Sequence, residues 1–105
     1  MLELPFKAKI SDRLATMLRR ITKDHRKDTP DALPSIRWCA DQASPRTGRT
    51  NWSLLSLSSK QLPAEDIFTV DDISLHIGVD ERQRLNGLVL DWIEAHGLVA
   101  RRIVN

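Results

Sequence analysis

The residues of this chain best suited to binding chemistry lie together in one polar stretch. Arg46, Thr47, Gly48 and Arg49 bring two cations, a hydroxyl group and a flexible backbone position within four residues. Because guanidinium groups donate paired hydrogen bonds to carboxylates and phosphates, this stretch could grip an anion or a partner protein. The simpler interpretation is an exposed polar loop, since Pro45 and Gly48 are typical loop residues.

Cysteine and histidine are the other candidates for metal or redox chemistry. Cys39 is the only cysteine. In a predicted strand a lone cysteine usually behaves as a small buried hydrophobe, and a redox or metal thiol is the alternative. His25, His76 and His96 show no paired ligand spacing and fall on separate predicted elements. We therefore predict no metal site and no cofactor, and we place the His76 side chain in solvent because it alternates with apolar neighbours.

Motifs of enzyme catalysis are missing from the sequence. It contains no nucleophile elbow, phosphate loop or dinucleotide fingerprint. The paired acids Asp71-Asp72 and Asp80-Glu81 fall on predicted turns, where capping and solubility explain them. We predict that the chain is not an enzyme.

Composition indicates one globular domain spanning residues 1–105. The hydrophobic fraction is 41% and the charged fraction is 29%, both ordinary for globular proteins. No apolar run approaches the roughly 20 residues of a membrane span, and the opening residues show no signal-peptide pattern. A single cysteine cannot form an internal disulfide. We therefore predict a cytoplasmic protein that does not bind membranes.

The net charge of +2 conceals two regions of opposite sign. Residues 1–27 hold eight Lys or Arg against three acids, whereas residues 60–95 hold three bases against eight acids. The basic end could meet an acidic partner or a nucleic acid, although most charge runs are only solvated faces.

The elements that must position these residues begin with one opening helix. Apolar residues recur at helical intervals from Ile10 to Ile21, which predicts a helix from about Ser11 to Arg26, and the proline-containing stretch 28–34 cannot continue it. Alternation and turn residues then predict strands, with loops over 41–51 and 58–65. The tryptophans, Trp38, Trp52 and Trp92, are predicted to lie in the core. The predicted strands are Ser35–Ala40, Trp52–Leu57, Ile67–Val70 and Ile73–Ile77, the last two joined as a hairpin by Asp71-Asp72.

The segment Val79–Gly97 supports two interpretations. Its apolar residues from Leu85 to Ile93 lie on one stripe of a helix, but Asn86-Gly87 is a turn pair that costs a helix about 1 kcal/mol. The rival interpretation is a helical turn at Asp80–Leu85, a turn at Asn86-Gly87 and a strand over Leu88–Glu94.

A family resemblance favours the rival interpretation. The order Ile67-Phe68, Asp71-Asp72, Ile73–Ile77, Leu85-Asn86-Gly87 and Leu90-Asp91-Trp92-Ile93-Glu94 resembles the carboxy-terminal half of the A-type iron–sulfur carriers, the HesB-like or IscA-like proteins. Their pattern is a hairpin, a short helix, a Leu-Asp-Gly turn and a strand ending Ile-Asp-Tyr-Val-Glu. Residues 10–21, 36–38 and 52–57 resemble the family's opening helix and its first two core strands. The resemblance implies a turn followed by a strand after Leu85.

The resemblance does not extend to the metal ligands. A-type carriers hold iron or a cluster through a cysteine after the first core strand and a Cys-Gly-Cys pair near the carboxy terminus. Neither Arg46-Thr47-Gly48, where the first ligand should fall, nor Ile103-Val104-Asn105 contains a cysteine. Because cluster chemistry depends on thiolates, the resemblance implies a degenerate, non-catalytic binding or accessory module. Such a module could meet iron–sulfur assembly partners through its basic helix, as a monomer or homodimer.

A winged-helix DNA-binding protein is the alternative fold. Thr69–Val79 looks like the second helix and turn of a helix-turn-helix, and Ile93–Val99 looks like a recognition helix entering a wing. That resemblance leaves the first 65 residues unexplained and puts the recognition helix in the acidic region, where phosphate contacts are disfavoured. We therefore predict an α+β domain in which the opening helix packs on a β-rich body of short, mostly antiparallel strands, and we rank a nucleic acid below a protein as its partner.

Overall fold

The computed structural model describes residues 1–102, which form an α+β domain of two helices and eight strands. Residues 103–105, the end of the predicted domain, lie outside the described residues. Within residues 1–102 no helix combines the length and apolar character of a membrane span. The strands are β1 (Leu2–Glu3), β2 (Ala8–Ile10), β3 (Ala32–Trp38), β4 (Trp52–Ser58), β5 (Ile67–Val70), β6 (Ile73–Ile77), β7 (Leu88–Ile93) and β8 (Gly97–Arg102), and the helices are α1 (Asp12–His25) and α2 (Val79–Arg84).

Helix α1 begins where a serine caps it and buries one apolar face. The Ser11 hydroxyl accepts a hydrogen bond from the Leu14 amide at 3.2 Å, which satisfies one of the free amides of the first turn. Leu14 and Leu18 are fully buried, and α1 packs against β3, β6 and β7. The predicted opening helix is confirmed.

The first sheet has the strand order β1-β2-β7-β8. Strand β2 runs parallel to β7, whereas the β1–β2 and β7–β8 pairs are antiparallel. Gly87, at φ 80°, turns the chain from α2 into β7, and its amide donates to the Lys7 carbonyl at 2.6 Å. The Asn86-Gly87 turn is therefore tied to the amino-terminal segment.

The second sheet has the strand order β4-β3-β6-β5. Strand β3 pairs antiparallel with β4 and parallel with β6, and β5 and β6 form the predicted hairpin. Asp71 adopts a left-handed φ of 56° in the hairpin turn, a conformation that aspartate tolerates better than most residues. Across both sheets most pairs are antiparallel, as predicted.

The core lies between α1 and the two sheets. Ile36 on β3, Leu75 on β6 and Leu90 on β7 are fully buried together with the inner face of α1. Trp52 is buried as predicted, whereas Trp38 and Trp92 are only partly buried and pack at the edge of this core.

The disputed segment forms the turn and strand, so the winged-helix alternative is wrong. Helix α2 ends at Arg84, and Leu88–Ile93 is a strand that pairs with both β2 and β8. The predicted helix-turn-helix region 69–79 is instead the end of β5, the hairpin turn and β6. The helical stripe was misleading because the same apolar residues also fit a strand with partners on both sides.

Three strands were not predicted, and β3 was predicted too far along the chain. Strands β1 and β2 are only two and three residues long, too short for a recognisable alternation, and β8 begins at Gly97, directly after the turn 94–96. Strand β3 begins at Ala32 rather than at the predicted Ser35, inside the stretch 28–34 that was predicted only to end the helix. Pro34 is tolerated because β3 pairs with β6 only at Ser35 and Ile36, so the proline lies where the strand has a partner on one side only.

Candidate functional site

The polar stretch singled out in the sequence is the loop 39–51 between β3 and β4. Trp38 and Trp52 form the last pair of the β3–β4 ladder, and the Cys39 amide extends it by donating to the Asn51 carbonyl at 2.8 Å. The Ala43 amide donates to Asn51 Oδ1 at 3.2 Å. The loop therefore leaves the sheet from a hydrogen-bonded base.

A tight turn forms the tip of this loop. The Ser44 amide donates to the Arg49 carbonyl and the Gly48 amide donates to the Ser44 carbonyl, both at 3.0 Å. Arg46, Thr47 and Arg49 are exposed. Within residues 1–102 neither arginine side chain forms an ion pair. The turn thus presents two free guanidinium groups on an ordered backbone.

The loop is attached to the turn between β7 and β8. Nδ1 of His96 donates to the Gly48 carbonyl at 2.9 Å, which places the ring proton on Nδ1 because a carbonyl oxygen can only accept. The Thr50 hydroxyl donates to the Leu98 carbonyl at 2.5 Å. Two segments almost 50 residues apart are therefore joined at one site.

Gly48 is required by this attachment. Its φ of +72° is left-handed, and a Cβ built there would lie 3.1 Å from Nδ1 of His96 and 3.2 Å from the Ala95 carbonyl oxygen. Any side chain at this position would push against the histidine as well as strain the backbone.

A half-open cavity of about 190 Å³ lies between the loop and the β7–β8 turn. We call it the loop cavity. Trp52 and Trp92 supply apolar wall, and Arg49 supplies a cationic hydrogen-bond donor. The Nδ1 proton of His96 is used by the Gly48 carbonyl, so His96 holds the loop in place beside the cavity. The lining residues are Gln42, Arg49, Thr50, Trp52, Ser53, Leu54, Trp92, His96, Gly97 and Leu98. A carboxylate or another small anion suits this combination of donors and apolar surface.

The four predicted site residues divide between the cavity and its surroundings. Arg49 lines the loop cavity, and Gly48 holds the histidine that lines it. Arg46 and Thr47 lie at the exposed turn and do not line it. His96 and Trp92 were not predicted to lie beside this loop, because the hairpin that brings them there includes the unpredicted strand β8.

Cys39 is exposed, so its predicted burial is wrong. Strand β3 ends at Trp38, and Cys39 is the first loop residue rather than an inward position of the strand. Among the described residues 1–102, no three His, Cys, Asp or Glu side chains come together in a group that could hold a metal ion.

His76 is buried, so the predicted solvent-facing position is also wrong. Its Nδ1 lies 2.7 Å from the hydroxyl of Ser35 on β3, which itself accepts from Arg37 Nε at 3.0 Å. Burial lowers the pKa of His76 and the Arg37 charge lowers it further, with Asp66 and Glu81 opposing and Arg82 assisting. The alternation failed as a guide because β6 lies between β3 and β5 and is covered on both faces.

A second polar centre surrounds Asp91 on β7, which has no exposed surface. Its Oδ1 accepts from the Ser11 hydroxyl at 2.5 Å, from Arg13 Nε at 3.0 Å and from the Trp92 amide at 2.8 Å. Its Oδ2 accepts from Arg13 at 2.6 Å and from Arg101 at 3.2 Å. The Arg13 hydrogen bond, aided by Ser11, Trp92 and Arg101, holds the pKa of Asp91 far below the usual aspartate range. We call these residues the Asp91 cluster, which joins the start of α1 to β7 and β8.

Comparisons with protein-family models, with curated proteins and with solved structures gave no match to this chain. The assignment of function therefore depends on the geometry of the chain itself.

Proposed function

We propose that this protein is a non-catalytic binding domain that takes up a carboxylate-bearing group of a partner protein in the loop cavity. Its fold is proposed to be a degenerate form of the A-type iron–sulfur carrier fold, working as an accessory in iron–sulfur assembly without a cluster of its own. The observation that carries the proposal is the joint position of Arg49 and His96 beside Trp52 and Trp92.

The chemistry of the loop supports binding rather than cluster transfer. The resemblance places the first cluster ligand near residues 46–48, where this chain has two hydrogen-bond donors and a glycine. The Gly48 carbonyl accepts a hydrogen bond from His96, so this position serves to organise the cavity. The planar guanidinium of Arg49 can pair with both oxygens of a carboxylate, so less side-chain freedom is lost for each hydrogen bond formed.

Direct titration of the full chain tests the cavity. Succinate is added while the amide resonances of Gly48, Arg49 and Gly97 are followed, and inorganic phosphate is titrated in parallel to compare the two anions. We expect saturable shifts at these three amides with succinate, and affinity at least tenfold weaker in Arg49→Gln.

Arg20→Gln is the matched control because Arg20 is exposed on α1 and does not line the loop cavity. It should leave the succinate affinity unchanged. Equal weakening by both substitutions would show a general charge effect, and linear shifts without saturation would show that the cavity is not a binding site.

The proposed role in iron–sulfur assembly has its own test. The chain is added to a cluster-transfer reaction between a purified scaffold protein and an apo-acceptor, and the transfer rate is measured with wild type and with Arg49→Gln. A change in rate that only the wild type produces supports the accessory role. If anaerobic reconstitution with iron and sulfide gives the wild-type chain a stable visible cluster absorbance, the cluster-free proposal is wrong.

A further inference from the structure

A second concave surface lies away from the loop cavity, between α1 and the turn of the β5–β6 hairpin. Its volume is about 360 Å³, and it is lined by Leu18, Arg19, Thr22 and Lys23 of α1, by Arg26 directly after α1, and by Asp72, Ile73 and Ser74 of the hairpin. We call it the α1 groove. No residue is shared between this set and the lining of the loop cavity.

The cations of the α1 groove stand on one face of the helix. Arg19, Lys23 and Arg26 follow one another at spacings of four and three residues, which places them one above another along α1. Leu18 and Ile73 also line the groove, but Leu18 is fully buried and Ile73 is only 3% exposed. Contact with a ligand therefore falls mainly to the charged side chains, which favour a ligand with negative charge.

Two of these cations are held in position by the protein. Arg19 donates through Nε to Asp72 at 2.7 Å and through a terminal nitrogen to Asp71 at 3.0 Å. Arg26 donates through Nε to the Ala32 carbonyl at 3.0 Å, which leaves both of its terminal nitrogens free of hydrogen bonds to the described residues. Donors that are already oriented lose less entropy when an anion binds.

Lys23 supplies charge that no acid of the described chain balances. Whereas Arg19 is paired with two aspartates and Lys27 lies near Asp24, Lys23 forms no ion pair within residues 1–102. Lys23 and Arg26 therefore give the groove a surplus of positive charge.

We propose that the α1 groove binds an acidic peptide segment of a partner protein, with an Asp or Glu carboxylate between Lys23 and Arg26. A nucleic acid suits the groove less well. Asp72 lines the hairpin side of the groove and Asp71 precedes it in the same turn, and their carboxylates disfavour the regularly spaced phosphates of a polyanion.

Peptide selection on the intact chain tests the proposal. Random heptapeptides are displayed and selected on wild type, with counter-selection on Lys23→Gln. We expect enrichment of peptides that contain Asp or Glu. A synthetic enriched peptide should bind Lys23→Gln at least tenfold more weakly than wild type, and Lys23→Arg should restore most of the affinity.

Lys27→Gln is the control, because Lys27 lies on the same helix but does not line the groove, and it should leave the affinity of the enriched peptide unchanged. Selection of peptides without acids, or equal weakening by Lys27→Gln, would overturn the proposal. A duplex oligonucleotide or inorganic phosphate that displaces the peptide with comparable affinity would also overturn it. Arg49→Gln should not affect this peptide, so failure here and failure of the loop cavity are distinguishable.

Discussion

The Asp91 cluster and the loop cavity both contain arginine and serine side chains, but they differ in whether their polar groups are paired within the chain. Each carboxylate oxygen of Asp91 accepts at least two hydrogen bonds from within the chain. The loop cavity instead ends in the free guanidinium of Arg49. The carboxylate of Asp91 is fully hydrogen-bonded within the chain, whereas the loop cavity has donors without a partner among the described residues.

This difference separates stability from recognition. Every buried side-chain polar atom among the described residues has a hydrogen-bond partner, as a stably folded interior requires. Donors without a partner occur only where water can satisfy them until a ligand arrives. Substitutions in the Asp91 cluster should therefore act on folding, and substitutions at the cavity should act on binding.

The largest effect on folding should come from Asp91→Asn. The substitution keeps the shape of the side chain but removes the negative charge to which Ser11, Arg13 and Arg101 donate hydrogen bonds. We expect the free energy of unfolding to fall by about 2–3 kcal/mol, the size typical of hydrogen bonds to a buried charge, because the two arginines are partly exposed and can return to water. Denaturant unfolding followed by tryptophan fluorescence measures the change.

Asp28→Asn is the control for that experiment, since Asp28 is exposed just beyond α1. It should change the free energy of unfolding by less than about 0.5 kcal/mol. Because the folded chain lowers the pKa of Asp91, its contribution is present above the ordinary aspartate pKa of about 3.9 and is lost as the pH falls below it. An Asp91→Asn protein as stable as wild type at pH 7 would show that the cluster does not support the fold.

The accuracy of prediction from the sequence also differs between these regions. Elements formed by residues close together in the chain were predicted well. Helix α1 follows from its apolar spacing, and the β5–β6 hairpin follows from Asp71-Asp72. The residue pattern alone did not decide between a helix and a turn at Asn86-Gly87. The family resemblance favoured the turn followed by a strand, which is what the structure shows.

Contacts between segments far apart in the chain could not be predicted from the sequence. Ser11 and Asp91 are 80 residues apart, and Gly48 and His96 are 48 apart. No local pattern encodes which segments lie side by side. The sequence therefore predicted the loop on one side of the cavity but not the β7–β8 turn on the other side. His76 and Cys39 were misplaced for a related reason, because burial depends on which strands flank β6 and on where β3 ends.

The attachment of the loop can be broken at Gly48, with a smaller expected effect on stability. Gly48→Ala forces a left-handed conformation and brings a Cβ against His96, so we expect a loss of about 1–2 kcal/mol. Gly87→Ala is the matched control, because its φ is +80° but no atom lies within 4 Å of the added Cβ. Only Gly48→Ala should shift the His96 ring resonances. Identical behaviour of the two variants would mean that contact with His96 does not matter.

Buried His76 should give the fold a dependence on pH. Because its pKa is lowered in the folded chain, the unfolded chain takes up a proton first. Stability is therefore full above the ordinary histidine pKa of about 6.5 and falls as the pH drops below it, by at most about 1.4 kcal/mol per pH unit for one proton. Urea unfolding at pH 8.0, 6.5 and 5.5 measures this fall. His76→Gln should flatten it, and an unchanged slope in that variant would assign the dependence to other groups.

Arg49→Gln should have the smallest effect on stability. It is the most direct test of the contrast between the Asp91 cluster, which supports the fold, and the loop cavity, which binds. The Arg49 side chain is exposed and forms no ion pair within residues 1–102. The free energy of unfolding should therefore change by less than about 0.5 kcal/mol, measured by the same denaturant titration as for Asp91→Asn. A loss of 2 kcal/mol or more, comparable to that expected for Asp91→Asn, would mean that the arginine supports the fold. With stability preserved, a weaker affinity of this variant for succinate can be attributed to a lost contact in the cavity rather than to unfolding.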